Sequence, residues 1–173
     1  MRPDSVTFTA TLGLGGNIGD PVHAMAEALR LIDARPDCRV LAVSAVYRTP
    51  PWGKTDQADF FNACALVETI LPPVDLLDAC LGIERDMKRV RTERWGPRTI
   101  DIDVLTYDDL RESHERLELP HPRMTERGFV LMPLADIAAG LLVSGRTVHD
   151  WLADADTTGI EKAGLEADWW LRR

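Results

Sequence analysis

The alternation of apolar and polar residues predicts a strand near the start of the chain. Its apolar positions are Val6, Phe8, Ala10 and Leu12, with threonines between them. A period of two is typical of a strand with one buried face. The stretch "GLGGNIGD" follows, and we expect it to end the strand in a tight turn that could bring backbone close to a ligand. Asp20 and Pro21 then suit the N-cap and first position of a helix.

The rest of the chain predicts an α+β fold with a ferredoxin-like βαββαβ core. The first helix has an apolar stripe at helical spacing: Val22, Met25, Ala26, Leu29 and Ile32. Residues 39–49 and 60–69 predict two strands, a helix capped by Asp75 follows, and Ile100, Ile102 and Val104 alternate in a fourth strand. C-terminal additions include a short piece at 117–119, a helix at 129–139 and a tryptophan-bearing end. One domain is expected over residues 1–173.

Composition and charge narrow the classes of protein. The 173 residues are 45% hydrophobic and 28% charged, as in an ordinary globular protein, and the net charge is −8. An acidic chain should be repelled by nucleic acid and anionic membranes, so neither is expected as a partner. Cys38, Cys64 and Cys80 have no zinc-ligand spacing, and we expect buried, reduced thiols. The sequence shows no signal-peptide region and no membrane-spanning run, so a cytoplasmic location is expected. We also expect a monomer.

Two aspartates occur one residue apart in the fourth strand, within "RWGPRTIDIDVL". Residues two apart in a strand point to the same side, roughly 6–7 Å apart along the chain. Asp101 and Asp103 should therefore lie together, opposite the apolar residues, with Leu105 and Tyr107 on their side. Carboxylates at that spacing suit a pair of Mg²⁺ ions. The alternative is a solvated strand edge whose aspartates pair with arginines.

The segment before this strand concentrates positive charge. Its basic residues are Arg85, Lys88, Arg89, Arg91, Arg94 and Arg98, against Asp86 and Glu93. A polyanionic ligand would relieve their mutual repulsion, and arginine suits phosphate oxygens. Together with the aspartates, this arm could clamp a metal-bound polyphosphate. A surface network of ion pairs is the alternative.

Two further segments have the composition of binding sites. In "SAVYRTPPWGKTDQADFFNACALVET" the aromatic residues Trp52, Phe60 and Phe61 surround Asn62, which favours a flat heterocyclic ligand. Alternatively, a phenylalanine is core and Asn62 bonds to backbone. In "LELPHPRMTERGFVLMPL", His121 lies close to arginines and could donate to a phosphate, or be structural.

Two phosphate-binding motifs are only partly matched. Gly53-Lys54-Thr55 would end a P-loop, but Arg48 stands where that motif needs glycine. A dinucleotide-binding fingerprint starting at Gly13 fails at Ile18. We therefore expect neither motif.

Four segments in order give the chain a specific resemblance. "LGLGGNIGD", the aromatic segment, "RWGPRTIDIDVL" and "LPHPRMTERGFVLMPL" resemble the 6-hydroxymethyl-7,8-dihydropterin pyrophosphokinases of folate biosynthesis. The resemblance implies transfer of diphosphate from ATP to the hydroxymethyl group of the pterin, with release of AMP. It also implies a ferredoxin-like core, and it makes ATP and the pterin the partners of the chain.

The resemblance also implies roles for particular residues. Two Mg²⁺ ions would be bridged by Asp101 and Asp103, which with Arg89 and Arg98 form the catalytic group. The ATP site would be lined by Glu84, Arg91, Arg94, Trp95, Arg116, His121 and Arg127. The pterin pocket would be formed by Thr49, Pro50, Trp52, Phe60, Asn62 and Phe129, with the two phenylalanines stacking on the ring.

The chain departs from the family pattern at a few positions. Lys88 stands where glycine is frequent, and the loop between Arg89 and Arg94 is short. Leu81, Glu118 and Pro122 differ at positions near the nucleotide. These differences affect individual ATP contacts and loop closure rather than the reaction.

Two other functions remain open on the residues alone. Nucleotidyl transferases also place Asp-x-Asp on a strand, but they release pyrophosphate where a pyrophosphokinase releases AMP. An RNA-binding ferredoxin-like module would use aromatic residues and arginines, with steep salt dependence and no metal requirement. The acidic charge and the paired aspartates weigh against that module.

Overall fold

Residues 5–51, 56–92 and 100–172, which the computed structural model describes, form a six-stranded antiparallel sheet with helices on both faces. For residues 89–92 the description covers the backbone only. The sheet contains β1 (Phe8–Gly16), β2 (Cys38–Val43), β3 (Tyr47–Thr49), β4 (Phe60–Thr69), β5 (Asp101–Tyr107) and β10 (Glu161–Lys162). The helices are α1 (Pro21–Asp33), α2 (Pro73–Thr92), α3 (Gly128–Ala138) and α4 (Val148–Asp154). Short strands β6 (Glu112–Ser113) and β7 (Glu118–Leu119) pair, as do β8 (Leu142–Val143) and β9 (Arg146–Thr147), and a 3-10 turn spans Met124–Glu126.

The strand order confirms the predicted βαββαβ arrangement. The sheet runs β10-β3-β4-β1-β5, and β2 also pairs with β4. The segment predicted as one second strand therefore forms two strands, β2 and β3, which both pair with β4. At the break, the Ser44 hydroxyl accepts a hydrogen bond from Cys64 N at 2.9 Å, while Ser44 N donates to Cys64 O at 2.9 Å. A serine side chain thus replaces a ladder carbonyl between the two strands.

The first face of the sheet packs on α1 and α2. The core there includes fully buried Leu12, Met25, Leu29 and Leu76. Asp20 caps α1 as predicted, because its carboxylate accepts from His23 N at 3.1 Å. The predicted cap of α2 is wrong: the helix begins at Pro73, and Asp75 lies in its first turn, where a carboxylate favours the helix dipole.

The second face packs on α3, α4 and the 3-10 turn, around Leu105, Met124, Leu131 and Leu134. Helix α3 confirms the predicted helix to within one residue. Near the end of the chain, Trp169 is buried in the α1–α2 core and donates from its indole nitrogen to Ser44 O at 2.9 Å. The tryptophan-bearing end therefore packs into the α1–α2 core and is bonded to the residue between β2 and β3. Within the described ranges, no helix has the length and apolar character to cross a membrane.

A bulge in β5 changes which side chains share a face. The pairing with β1 shifts between Thr11 and Leu12, so that Leu105 is the extra residue on β5. Leu105 faces α3, but Tyr107 returns to the α1–α2 core. The prediction that Tyr107 lies on the aspartate side is therefore wrong.

Candidate active site

A cavity of about 410 Å³ lies where β1, β4 and β5 meet the start of α3. Its volume is within the range of small-molecule sites. The predicted site residues that line it are Thr49, Phe60, Asn62, Asp101, Asp103, Arg127 and Phe129. The fold therefore brings the aromatic segment and the paired aspartates, predicted separately, into one cavity.

Glycines of β1 form the floor of this cavity. The strand ends within "GLGGNIGD" as predicted, but four residues later than expected, because β1 continues to Gly16. Gly13 pairs with Asp103, and Gly15 pairs with Asp101 on one side and Asn62 on the other. A Cβ at Gly15 would lie 2.3 Å from Asn62 Oδ1, so a side chain there would displace the amide. Glycine lets the strand pass beneath the cavity without filling it.

The signal for this extension was present in the sequence. Leu14, buried at 2% exposure, continues the apolar alternation of the first strand beyond Leu12. Sequence reasoning read the glycines as a turn and missed that they are in register with the strand. Cys64 was also missed, although it lies two residues after Asn62 on the same strand face. Leu105 lines the cavity on the aspartate side, as predicted, whereas the contributions of Asn17 and Val130 had no signal in the local pattern.

The aromatic end of the cavity is accessible and holds an unsatisfied polar atom. Phe60 is 37% exposed, whereas the neighbouring Phe61 packs on the α1–α2 core. The guanidinium of Arg127 lies 5.6 Å from the ring centroid of Phe129, a cation–π contact. Thr49 Oγ1 is buried without a hydrogen-bond partner in the described part of the chain. Such atoms are rare, and this one is available to a ligand.

The opposite end of the cavity is acidic. Asp101 and Asp103 are exposed on β5, and neither has a hydrogen-bond or ion-pair partner among the described residues. Glu84 of α2 lies behind them and accepts from Ile102 N at 2.5 Å. Burial raises the pKa of the Glu84 carboxyl, and the charges of both aspartates raise it further, against the opposing effect of the Ile102 hydrogen bond.

The donor set of this acidic end fits hard cations. Two open carboxylates on adjacent positions of one strand face supply oxygen ligands of the kind that Mg²⁺ takes, with room left for water and phosphate. The cross-strand neighbours Gly13 and Gly15 carry no side chains that would block them. Over the described residues, no group of three or more His, Cys, Asp or Glu side chains that could hold a metal ion occurs.

Some predicted ATP-site residues lie outside the cavity. Arg116 bonds to Asp78 of α2, which lowers the Asp78 carboxyl pKa and raises that of the guanidinium. His121 lines a second, more open cleft of about 650 Å³ beside β6 and β7. Pro50, predicted for the pterin pocket, directly follows β3, is exposed and is also absent from the cavity lining.

His121 is held in one tautomer when neutral. Its Nδ1 accepts from Arg123 N at 3.2 Å, so the proton of the neutral ring is on Nε2. Burial lowers the pKa of His121, with the charge of Asp103 acting in the opposite direction. The side chain can therefore offer a neutral N–H donor near neutral pH.

Six predicted residues cannot be placed by their side chains. Trp52, Arg94, Trp95 and Arg98 lie outside the described residues, as do the side chains of Arg89 and Arg91. Their roles stay predictions.

Comparison with known proteins agrees with the geometry of this site. Residues 11–139 match the family model of 7,8-dihydro-6-hydroxymethylpterin-pyrophosphokinase. A 2-amino-4-hydroxy-6-hydroxymethyldihydropteridine pyrophosphokinase from Methylorubrum extorquens is 54% identical over 153 residues, covering 88% of this chain and 97% of the relative. The enzyme of the same name from Pseudomonas aeruginosa is 42% identical over 152 residues, covering 87% of this chain and 94% of the relative.

A solved structure shows the same fold at low identity. The HPPK-DHPS triple mutant of Plasmodium falciparum superposes with a TM-score of 0.70 at 17% identity, covering 88% of this chain and 44% of that longer chain. Together with the matched family model and the high identity of the relatives, this places the chain: it belongs to the 7,8-dihydro-6-hydroxymethylpterin-pyrophosphokinase family.

Proposed function

We propose that this chain transfers an intact diphosphate from ATP to the hydroxymethyl oxygen of 6-hydroxymethyl-7,8-dihydropterin, releasing AMP. The observation that carries the proposal is the composition of the single cavity that contains Phe60 and Phe129 at one end and Asp101 and Asp103 at the other. A flat ring held by the first pair would present its side chain toward the charged end.

The pterin subsite is the aromatic end. Phe60 and Phe129 stack on the two faces of the ring. The amide of Asn62 hydrogen-bonds to the edge of the ring, and the unpaired Thr49 Oγ1 can take a further hydrogen bond. Pro50 and Trp52 complete the pocket in the proposal.

We expect Gly15→Ala to weaken pterin binding by about tenfold, because its Cβ would displace Asn62 Oδ1 from the ring edge and leave a hydrogen bond of about 1–1.5 kcal/mol unmade. Pterin affinity is measured by calorimetry in the presence of a non-hydrolysable ATP analogue. Gly140→Ala is the matched control, since nothing lies within 4 Å of its added methyl group. Equal pterin affinity in the two variants would contradict the role of Asn62.

The nucleotide subsite is the charged end. In the proposal Asp101 and Asp103 bind two Mg²⁺ ions, which when bound neutralise the triphosphate and polarise the reacting phosphoryl group. Arg89 and Arg98 stabilise charge that develops on the leaving oxygen, with Arg91 and Arg94 in the same arm. Glu84, Trp95, Arg116, His121 and Arg127 complete the ATP site.

The chain's own contribution is mainly positioning. The stacking pair fixes the pterin so that its hydroxyl oxygen attacks the β-phosphorus in line with the departing AMP. His121, with its proton on Nε2, can donate to a phosphate oxygen. No base for the hydroxyl proton is assigned.

AMP formation from ATP tests the function directly. We expect AMP only when the hydroxymethyl pterin and Mg²⁺ are both present, together with one equivalent of pterin diphosphate. Release of free pyrophosphate with a nucleotidylated product would instead indicate nucleotidyl transfer. AMP formation without the pterin would also contradict the proposal.

We further propose that the enzyme acts as a monomer in the cytoplasm. The three cysteines of the chain are buried free thiols, which suits a reducing compartment. Burial raises the pKa of each, to about 12 for Cys80, so the thiols stay protonated and unreactive.

A further inference from the structure

The segment of residues 155–163, which follows α4, lies beyond the residues that match the family model. It contains β10, which pairs with β3 through Glu161 opposite Arg48 and Lys162 opposite Tyr47. One residue further on, Ala163 N donates to Val46 O at 2.8 Å. The segment is therefore part of the main sheet, next to the strand that carries Thr49.

The same segment touches the start of α3, the other wall of the aromatic end. A Cβ at Gly128 would lie 2.4 Å from Asp156 O and 3.2 Å from Ile160 Cδ1. Gly128 immediately precedes Phe129, so the backbone of the segment is in close contact with the residue that positions this ring. The turn is held locally, since Asp156 Oδ1 accepts from Thr158 N at 3.0 Å and Ile160 N donates to Thr157 O at 3.1 Å.

Gly159 contacts the wall of the aromatic end that is formed by Thr49 of β3 and the following Pro50. Its φ is +79°, in the left-handed region that favours glycine. A Cβ at this position would lie 3.3 Å from Pro50 Cδ, tighter than an ordinary contact. The segment therefore spans from Pro50, beside Thr49, to Gly128, beside Phe129.

A second link joins the same two walls. The hydroxyl of Tyr47 on β3 donates to Asp136 of α3, with oxygen–oxygen distances of 2.9 and 3.0 Å. The carboxylate of Asp136 also accepts from Ala45 N at 3.2 Å. Tyr47 lies two residues before Thr49 on the same face of β3, so the distance between the walls depends on both this link and residues 155–163.

We propose that residues 155–163 set the width of the pterin subsite, with Gly159 as its positioning residue. The inference rests on the proposed function, because it takes Thr49, Pro50 and Phe129 as the walls of the pterin pocket. A side chain at Gly159 pushes Pro50, and with it Thr49, by a few tenths of an ångström. The carboxylates lie on β5, and the order β3-β4-β1-β5 places two strands between them and the disturbance. The effect is therefore selective for pterin over ATP.

The chain offers a matched pair of variants for the test. Gly164 has a φ of +76°, nearly that of Gly159, but nothing lies within 4 Å of a Cβ built on it. Gly159→Ala and Gly164→Ala thus carry nearly the same backbone strain and differ in the contact with Pro50. We expect similar losses of Tm in the two variants.

The kinetics distinguish them. In AMP-formation assays we expect Gly159→Ala to raise the KM for the pterin about fivefold with the KM for ATP unchanged. A misplacement of about 1 Å can cost roughly 100-fold, and the shift expected here is only a few tenths of an ångström. Gly164→Ala should keep both values at wild-type level. The same difference should appear in calorimetric pterin affinity with a non-hydrolysable ATP analogue bound.

A second pair of variants keeps the test valid if the alanine variants fail to fold. Asparagine tolerates positive φ better than alanine, so Gly159→Asn and Gly164→Asn retain the contact difference with less strain. The inference would be overturned if the Gly159 variant and its Gly164 counterpart had the same KM for the pterin. It would also be overturned if the Gly159 variant raised the KM for ATP as much as the KM for the pterin. Failure of the proposed function would show separately, as absence of pterin-dependent AMP formation in the wild-type chain.

Discussion

Replacing either aspartate of β5 is expected to lower kcat by about 10³-fold or more while leaving the fold intact. Asp101→Asn and Asp103→Asn each remove one of two carboxylates that are exposed at the charged end of the cavity. Loss of one electrostatic contact to a reacting phosphoryl group costs roughly 10²–10³-fold in kcat, and loss of a metal ligand should cost at least as much. Stability should change little, because exposed substitutions away from packed contacts are usually near neutral.

The test combines turnover with two readouts that do not depend on it. Thermal unfolding should give wild-type Tm values, and Mg²⁺ should no longer strengthen the binding of a non-hydrolysable ATP analogue. Asp109→Asn is the control, because this exposed aspartate follows β5 and does not line the cavity. Near-normal rates in either active-site variant would count against the metal assignment.

Phe60→Ala should weaken pterin binding by about 10–100-fold and leave ATP binding nearly unchanged. Stacking of a heterocycle on an aromatic side chain is worth roughly 1–3 kcal/mol by alanine substitution. Phe60 is 37% exposed and lines the cavity, so little packing is lost with the ring. Calorimetric titration with each substrate separately measures the difference.

The adjacent phenylalanine provides the control. Phe61→Ala removes a ring of the same size from the opposite face of β4, where it packs on the α1–α2 core. That variant should lose Tm but not show selective loss of pterin affinity. If Phe60→Ala weakened ATP and pterin equally, the pterin pocket would be assigned to the wrong end of the cavity.

The order of helices and strands was predictable because each carries its own local period. The apolar stripe of α1 and the cap at Asp20 depend on neighbours within four residues. The division of the second strand at Ser44 was not predictable, since it depends on hydrogen bonds to Cys64, twenty residues away. The bulge at Leu105 likewise arises from register with β1, which local pattern does not encode.

The site was predictable where chemistry is concentrated in short motifs. Residue type and spacing marked Phe60, Asn62, Asp101 and Asp103 as candidates, the family resemblance gave them roles, and the cavity unites them. The part played by Gly15 was missed, because its importance appears only when Asn62 is seen across the strand pair. Contacts made by residues 155–163 were not predictable for the same reason, since their partners lie from about 30 residues away, at Gly128, to more than 100 residues away, at Arg48 and Pro50.

Strand β5 is the last strand of the sheet in the described residues, and two of its outward backbone groups already have partners. Ile102 N donates to the Glu84 carboxylate, and Leu105 O accepts from His121 N at 2.8 Å. A strand from another molecule could not add here without breaking these bonds, so the margin of the sheet is protected against edge-to-edge aggregation. Glu84→Ala should thus leave Ile102 N free to pair with a strand of another molecule. It should also change the electrostatic environment of Asp101 and Asp103.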